Sequence, residues 1–595
     1  MTEPWLLPAS YAQERIWFAN QLAGDVPVYR VASGVRTGYP LRDEQIVDAV
    51  RQVVQRHESL RTSFRLVDGV LMQAVHADPA LSIAHADLTG TPPEQLEQRH
   101  AEVRVRQLAE PLPLDRPPLW RVMLVKSGPH TDRVFFTLHH AVFDGASEVN
   151  LRAELAELFA AAAQGRPARL PDLPIQYADY TMWHRDRLAG GRLEELLEYW
   201  RKTLAGAPAV HRVPMDHPRP AQRTFRGASA DFPIPSTVEN DVAALARTRG
   251  ATAFMVLVAA YAALLHRLSG ENDIVVGVPV AGRDVPELQP LIGMFVNMVL
   301  LRIDVSGDPG FDELLTRVRA TALAAWDHQD MPYQKLVEAL ATRRDPGVPP
   351  LYQLGFNHTP GGFDNDAGGA EDDLMLEITD GLGRLQYNTA LFKAERARRM
   401  AGDYLRLLTE AVYHPTTRLS DLPVTTPALP GSPSGGSSPD AFSVGVPSGA
   451  SSPGSLWSGA LSPGQVGKAS PLGELDSGRP GGGGPGGYVA PRTDAEELVA
   501  QVWREILGVE RVGVHDDFFD LGGHSLLALR VIARLSADTG IDVPIQDFFT
   551  DTTLQGVAAL LERLLTEEIA GLSDEEAAAQ LAEGATTSQQ SGRPR

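Results

Sequence analysis

The chain has 595 residues, no cysteine and a formal net charge of -21 at pH 7. That length provides for about three or four domain-sized units, and the missing cysteine excludes disulfides, thiolate metal sites and a cysteine nucleophile and fits a reducing cytosol. The acidic balance argues against non-specific nucleic-acid binding, which needs clustered positive charge. About half of the acidic excess lies after residue 491, where a solvated surface accounts for it and a basic partner could also dock.

From Met1 to Gln13 the chain is mixed and carries Glu3 and Pro4, so no signal peptide is expected. Up to about residue 425, helical patterns alternate with short β-branched or apolar runs, as in an α/β protein. The pattern predicts a helix over Ile46 to Arg56, a strand over Arg133 to Leu138, a helix over Leu151 to Ala163 and a buried strand over Asp273 to Val280. The most apolar segment, Ala251 to Leu265, is too short to span a membrane and runs into His266 and Arg267. A core helix is expected there, and no membrane association. From about Leu429 to Gly487 the chain is dominated by Gly, Ser and Pro, too little apolar surface to offset its ordering entropy, so it reads as a flexible linker. Order resumes at Thr493, a suitable N-cap for a helix over Glu496 to Leu507. A helix opening at Ser525, a short turn over Ile545 to Phe549 and a last helix over Leu554 to Leu565 complete a small helical bundle, with fraying expected after about Thr566.

Two constellations carry chemistry. The run Leu138-His-His-Ala-Val-Phe-Asp-Gly-Ala-Ser147 stands where a strand ends and a helix follows, a rigid mount for reactive side chains. A neutral imidazole there, His140 or His139, can take a proton from an attacking amine or hold it by a hydrogen bond. Asp144 can orient the loop, and Gly145 lets backbone approach a substrate. A structural histidine pair, or a metal site lacking its third ligand, would leave the same pattern. The second run, Asp516-Asp-Phe-Phe-Asp-Leu-Gly-Gly-His-Ser-Leu-Leu-Ala-Leu-Arg530, puts the Ser525 hydroxyl at a helix N-terminus, where unpaired N–H groups and the helix dipole favour a phosphate. A plain N-capping serine is the alternative.

The Ser525 run resembles the attachment site of the peptidyl carrier, or thiolation, domains of nonribosomal peptide synthetases. The resemblance implies that Ser525 bears 4′-phosphopantetheine, a phosphodiester-linked arm ending in a thiol. Ahead of it, Ser10-Tyr-Ala-Gln-Glu-Arg-Ile-Trp17, Arg56-His-Glu-Ser-Leu-Arg-Thr-Ser-Phe64, the histidine run, Tyr177-Ala-Asp-Tyr180, Ile292-Gly-Met-Phe-Val-Asn297 and His328-Gln-Asp-Met-Pro-Tyr333 resemble, in order, the segments of the condensation domains of the same synthetases. This likeness covers roughly residues 5 to 425. It implies an α/β fold of two chloramphenicol-acetyltransferase-like lobes in a V, residues 1–175 and 176–425, with the histidine loop at the bottom of a tunnel. A disordered linker (426–490), a small four-helix-bundle carrier domain (491–566) and an acidic, then polar tail (567–595) would follow. Val278-Pro-Val-Ala-Gly-Arg283 is similar to the family segment whose arginine pairs with the motif aspartate, so the resemblance implies an ion pair between Asp144 and Arg283. Direct catalytic roles are not expected of the Arg56 or Ile292 segments, and Tyr333 is expected to pack.

The chain departs from the family pattern in places. Ala146 stands where tryptophan is often found and Met298 where threonine is common, and both differences could reshape the tunnel. The Gly- and Asp-rich stretch Gly361 to Asp373 is more polar than its family counterpart, which leaves its local fold open. Between the two domains there is only the linker, with no nucleotide loop, so an adenylation enzyme acting in trans is expected to load the carrier. The other expected partners are an upstream carrier protein bearing the acyl donor and a phosphopantetheinyl transferase, with no metal. A flexible linker of ~60 residues spans roughly 45 Å r.m.s. and would hold the carrier near millimolar effective concentration. The expected reaction is amide formation, with His140 positioning or deprotonating the amine, His139 supporting the loop and the Gly145 N–H facing the oxyanion. Ester formation with a hydroxyl acceptor, a CoA-dependent acyltransferase and a non-catalytic carrier-presenting module remain as alternatives.

Overall fold

The computed structural model describes residues 3–24, 26, 28–340, 345–359, 369–425, 488–523 and 525–571. Seven strands precede the histidine loop: β1 (Trp5–Pro8), β2 (Arg30–Arg36), β3 (Thr62–Val67), β4 (Val70–Val75), β5 (Ile83–Asp87), β6 (Trp120–Lys126) and β7 (Thr131–His139). They form a three-stranded sheet in the order β1-β4-β3 and a four-stranded sheet in the order β2-β7-β6-β5. In β7 the two-residue period of a strand sorts side chains between layers. Val134, Phe136 and Leu138 enter the core with Ile46, Val50 and Leu155, under the helices Asp43–Arg56 and Gly145–Gln164. Phe135 points the other way, into a small cluster with Leu96 and Val103 of the helix Pro93–Ala109. The strand that ends in His139 is thereby fixed on both faces, and its register sets Arg30 opposite His139.

The third and largest sheet is built from β8 (Gly227–Pro233), β9 (Asp273–Val280), β10 (Asn297–Asp304), β11 (Leu354–His358), β12 (Leu374–Thr379) and β13 (Leu382–Asn388), in the order β10-β9-β11-β12-β13-β8. Its β11 runs parallel to β9 and β12, and the other neighbours are antiparallel. The helix Ala253–Ser269 is buried on every side from Met255 to Leu265, which suits a sequence apolar around its whole circumference. It is the expected core helix. Among the described residues no single helix is long and apolar enough to cross a membrane; only Ser236–Thr248 and Ala253–Ser269 taken together pass that test, and they are bent by 106°.

The C-terminal unit is helical: Asp494–Leu507, Ser525–Thr539, Ile545–Phe548 and Leu554–Gly571. Thr493 caps the first of these by accepting from Glu496 N. Trp503, Phe518, Phe548 and Leu561 share its core. The last helix continues to Gly571, past the point where it was expected to fray. Leu564 and Leu565 still pack on the core, and Arg563 pairs with Glu567 one turn on at 3.1 Å, a spacing that supports a helix. Residues 426–487 of the expected linker, 572–595 of the expected tail and 361–368 of the Gly- and Asp-rich stretch lie outside the described residues.

Candidate active site

His139 closes β7, and His140 opens a single 3₁₀ turn, His140–Val142. The His139 ring is used up structurally. Its Nδ1 accepts from Ala141 N at 3.1 Å, which leaves the proton on Nε2 to be donated to Asn20 Oδ1 at 3.1 Å. Burial, with the neighbouring His140 adding to it, lowers its pKa to about 3, so the ring is neutral at pH 7. The His140 backbone is held from both sides, N–H donating to Tyr29 O at 2.8 Å and carbonyl accepting from Phe143 N at 3.3 Å. Burial is also the main influence on the His140 ring and lowers its pKa; Asp144 opposes this, while Arg15 lowers it further and Glu371 raises it. A neutral imidazole on a fixed backbone can accept a proton at neutral pH.

Asp144 is the N-cap of the helix Gly145–Gln164, and both oxygens of its carboxylate are engaged. Oδ1 accepts from Ser147 N (2.8 Å), Ser147 Oγ (2.7 Å) and Arg283 Nη2 (2.9 Å), and Oδ2 accepts from Phe295 N (3.0 Å). Arg283 spends its other amino group on the carbonyls of Leu288 and Leu291, at 2.6 and 2.8 Å, and lies 4.0 Å over the Phe295 ring. The exposure of Asp144 is 1% and that of Arg283 5%. A carboxylate so engaged holds the loop against the six-stranded sheet's half of the molecule. Gly145 is the first helical residue, so its N–H belongs to the first-turn amides that no helical carbonyl takes up.

The other segments singled out in the sequence converge on the same junction. Tyr177 OH donates to Met294 O and pairs with Ser10 Oγ at 2.7 Å. Ser59 Oγ donates to Ile292 O at 2.6 Å, and Ile292 N donates to His57 Nδ1 at 3.3 Å. Asn297 opens β10 and donates to the carbonyls of Gln329 and Met331 at 2.8 and 2.7 Å. A side chain at Gly293 would come within 2.2 Å of the Tyr177 ring. Sequence reasoning gave no role to Ser147, although the motif contains it. Besides serving Asp144, its Oγ accepts from Gly293 N at 3.0 Å and Arg283 Nη2 at 3.1 Å.

A cavity of about 520 Å³ is lined by Arg15, Tyr333, Tyr352, Glu371 and Asp372, among others. Tyr333 does more than pack: it lines this cavity while its hydroxyl donates to Pro350 O at 2.5 Å. Arg15 Nη1 donates to Glu371 Oε1 at 2.5 Å, and this is the pair whose charges bear on His140. Glu371 and Asp372 come from the stretch whose fold the sequence left open. Its described end is anchored by Ala370 N donating to Phe225 O at 2.9 Å and Asp373 N donating to Gln353 O at 3.0 Å. The only sequence signal for the site was the acidic run Glu371-Asp-Asp373 just before β12.

Ser525 is the first residue of the helix Ser525–Thr539. Gly522 has φ 91°, and a Cβ on Gly523 would lie 2.5 Å from the Phe518 carbonyl oxygen. Glycine is therefore required at both positions, and the turn delivers the serine to a helix start, a geometry that fits a phosphodiester at that residue. Phe519 and Phe549 of this unit also line the cavity. Phe549 lies 5.5 Å from Phe18 of the helix Tyr11–Ala23, and Gln222 Nε2 donates to Thr550 Oγ1 at 3.0 Å.

Residues 6–429 match the condensation domain family, and residues 497–561 match the phosphopantetheine attachment site family. A linear gramicidin synthase of Brevibacillus parabrevis is 36% identical over 437 residues, which cover 70% of this chain and 6% of that protein. Phosphinothricin tripeptide synthetase PhsC of Streptomyces viridochromogenes is 38% identical over 450 residues, covering 71% of this chain and 40% of that protein. This chain thus spans less than half the length of either relative. A solved four-domain nonribosomal peptide synthetase, in its holo form with AMP and glycine, superposes with a TM-score of 0.63 at 25% identity, covering 71% of this chain and 34% of that one. The ordered segments around the histidine loop, the fold that brings them together and these likenesses agree: the chain belongs to the condensation domain family of the nonribosomal peptide synthetases, an acyltransferase-type enzyme, joined to a phosphopantetheine attachment domain.

Proposed function

We propose that this chain forms an amide between an acyl or peptidyl thioester, brought by an upstream carrier protein, and an amine held on its own carrier at Ser525. The amine nitrogen attacks the thioester carbonyl, the C–N bond forms, the C–S bond breaks and the donor's thiol departs. His140 takes or orients the proton that nitrogen loses, and the Gly145 N–H faces the oxyanion. His139 supports the loop, and Asp144 with Arg283 positions it. When bound at Ser525, 4′-phosphopantetheine supplies the thiol that holds the acceptor. A phosphopantetheinyl transferase installs it, and an adenylation enzyme loads the acceptor in trans, because the segment between the two domains has no nucleotide loop. A cysteine-free chain of this kind suits the cytoplasm and the assembly of a natural product such as a peptide antibiotic.

The observation that carries this reading is the contact of Phe549, from the unit that bears Ser525, with Phe18 at the cavity whose Arg15–Glu371 pair acts on His140. It favours delivery of the acceptor by the chain's own carrier. The test loads the Ser525 arm with an aminoacyl group or its hydroxyacyl isostere, adds an acyl-loaded upstream carrier, and follows intact mass. Acyl mass appearing on the aminoacyl form is expected. Transfer only to the hydroxyacyl form would replace amide by ester formation, and transfer to neither would remove the condensation reading.

A further inference from the structure

Asp372 is buried, with 4% exposure, yet lines the cavity. Among the described residues nothing donates a hydrogen bond to its carboxyl and no cation pairs with it, although three arginines, Arg15, Arg223 and the exposed Arg226, line the same cavity. Arg15 is committed to the Glu371 carboxylate. Arg223 donates to the Glu371 carbonyl and lies 4.6 Å over the Phe225 ring. An unpaired carboxyl in so enclosed a place is costly unless something completes it. Burial and the nearby Glu371 push its pKa well up, against the pull of Arg223 and Arg15, so the arginines of the cavity do not make up for its burial.

The surroundings indicate what that partner is. Tyr333 and Tyr352 stand edge to face, with centroids 5.6 Å apart, and both line the cavity. An acid beside aromatic rings is the chemistry that holds an ammonium or other organic cation. Phe519, Phe549 and Thr552 of the carrier unit line the same cavity, so an acceptor on that carrier is the group placed to enter it. Asp372 lines the cavity whereas His140 is not among the residues that do, so a cation at Asp372 is distinct from the amine that reacts.

We infer that Asp372 selects an acceptor bearing a second basic group, such as a diamino acid, and holds that group as a cation while the reacting amine is directed to His140. The inference rests on the amide-forming reading above and deepens it. The step requires no further reagent: a neutral amine takes the proton of the Asp372 carboxyl, or the carboxyl releases it to solvent as an ammonium enters, and either way an ammonium–carboxylate ion pair results.

The test has a binding arm and a transfer arm, both with the full chain. In the first, lysine amide and norleucine amide, which lacks the side-chain ammonium, are titrated calorimetrically into wild type and Asp372→Asn. Lysine amide is expected to bind wild type about tenfold more tightly, the lower range for a hydrogen bond to a charged group, and the variant should show no preference. In the second, the Ser525 arm carries lysyl or norleucyl groups, and acyl transfer from an upstream carrier is timed. The lysyl form should react about tenfold faster in wild type, with the two forms equalised in Asp372→Asn. Equal binding and equal rates in wild type would overturn the inference without reference to any variant, as would a preference that survives Asp372→Asn. Absence of transfer to either acceptor with the binding preference intact would instead strike the condensation reading and leave the basic-group site standing.

Discussion

His140 and Ser525 each open a helical turn, but the two turns are held in opposite ways. The histidine loop is pinned by a buried network in which Asp144, Ser147 and Arg283 exchange side-chain hydrogen bonds across 136 to 139 residues of sequence. The serine turn is closed locally, by Gly522 N donating to Phe519 O at 3.0 Å and Gly523 N donating to Phe518 O at 2.9 Å. The difference follows from what each has to do. A group that meets a reacting amine is effective only when its geometry is fixed beforehand. A residue that is modified, loaded and moved between partners needs an accessible helix start and a glycine turn, with few long-range ties.

That contrast can be broken from either side. The largest effect is at the serine. Ser525→Ala should abolish the gain of one phosphopantetheine mass on incubation with a phosphopantetheinyl transferase while leaving the melting temperature unchanged, and a modified Ala variant would remove the assignment. At the loop, the cost should fall on folding. Asp144→Ala strands the Arg283 guanidinium in the interior and should destabilise the protein by roughly 3–5 kcal/mol or yield insoluble material; an unchanged melting temperature with lost activity would mean that the carboxylate acts on substrate after all. Ser147→Ala removes one member of the network and keeps the ion pair, so denaturant unfolding should show a smaller loss, about 1–3 kcal/mol.

What the sequence made legible was local. The alternation in β7, the cap at Thr493, the all-round apolar helix Ala253–Ser269 and the two motif runs each announce themselves within a dozen or so residues, because periodicity and capping act at that range. Glu371 was out of reach. It matters through Arg15, 356 residues away, and no periodic pattern encodes such a contact. The same holds for Ser147, whose partner Gly293 is 146 residues distant, and for Tyr333, where a tyrosine after proline reads as packing until the cavity beside it is seen. Asp372 was obscured for another reason. An acidic run beside a Gly- and Asp-rich stretch looks like solvated loop, and only burial shows that one of its carboxyls is enclosed.

The smallest effect is titrimetric. His139 has an unfolded pKa near 6.5 and a folded value lowered to about 3. The unfolded chain therefore binds a proton first as pH falls. The stabilising contribution of the neutral ring is complete above about 6.5 and is lost on acidification, at no more than about 1.4 kcal/mol per pH unit, until the folded ring protonates near about 3. Melting curves of wild type and His139→Gln between pH 7 and pH 5 should diverge, wild type falling more steeply. Parallel curves would show that this ring is not held neutral by burial.

The central claim is that a fixed, neutral His140 acts on an amine delivered by the chain's own carrier. It is tested most directly by single-turnover transfer from an acyl-loaded upstream carrier to the aminoacylated Ser525 arm, with wild type and His140→Ala compared at matched melting temperature. The account predicts acyl mass on the wild-type arm and a rate lower by a factor on the order of 10² to 10⁴ in the variant, the range for a lost general base. Equal rates in the two proteins, or acyl product released without passing through the Ser525 arm, would contradict it.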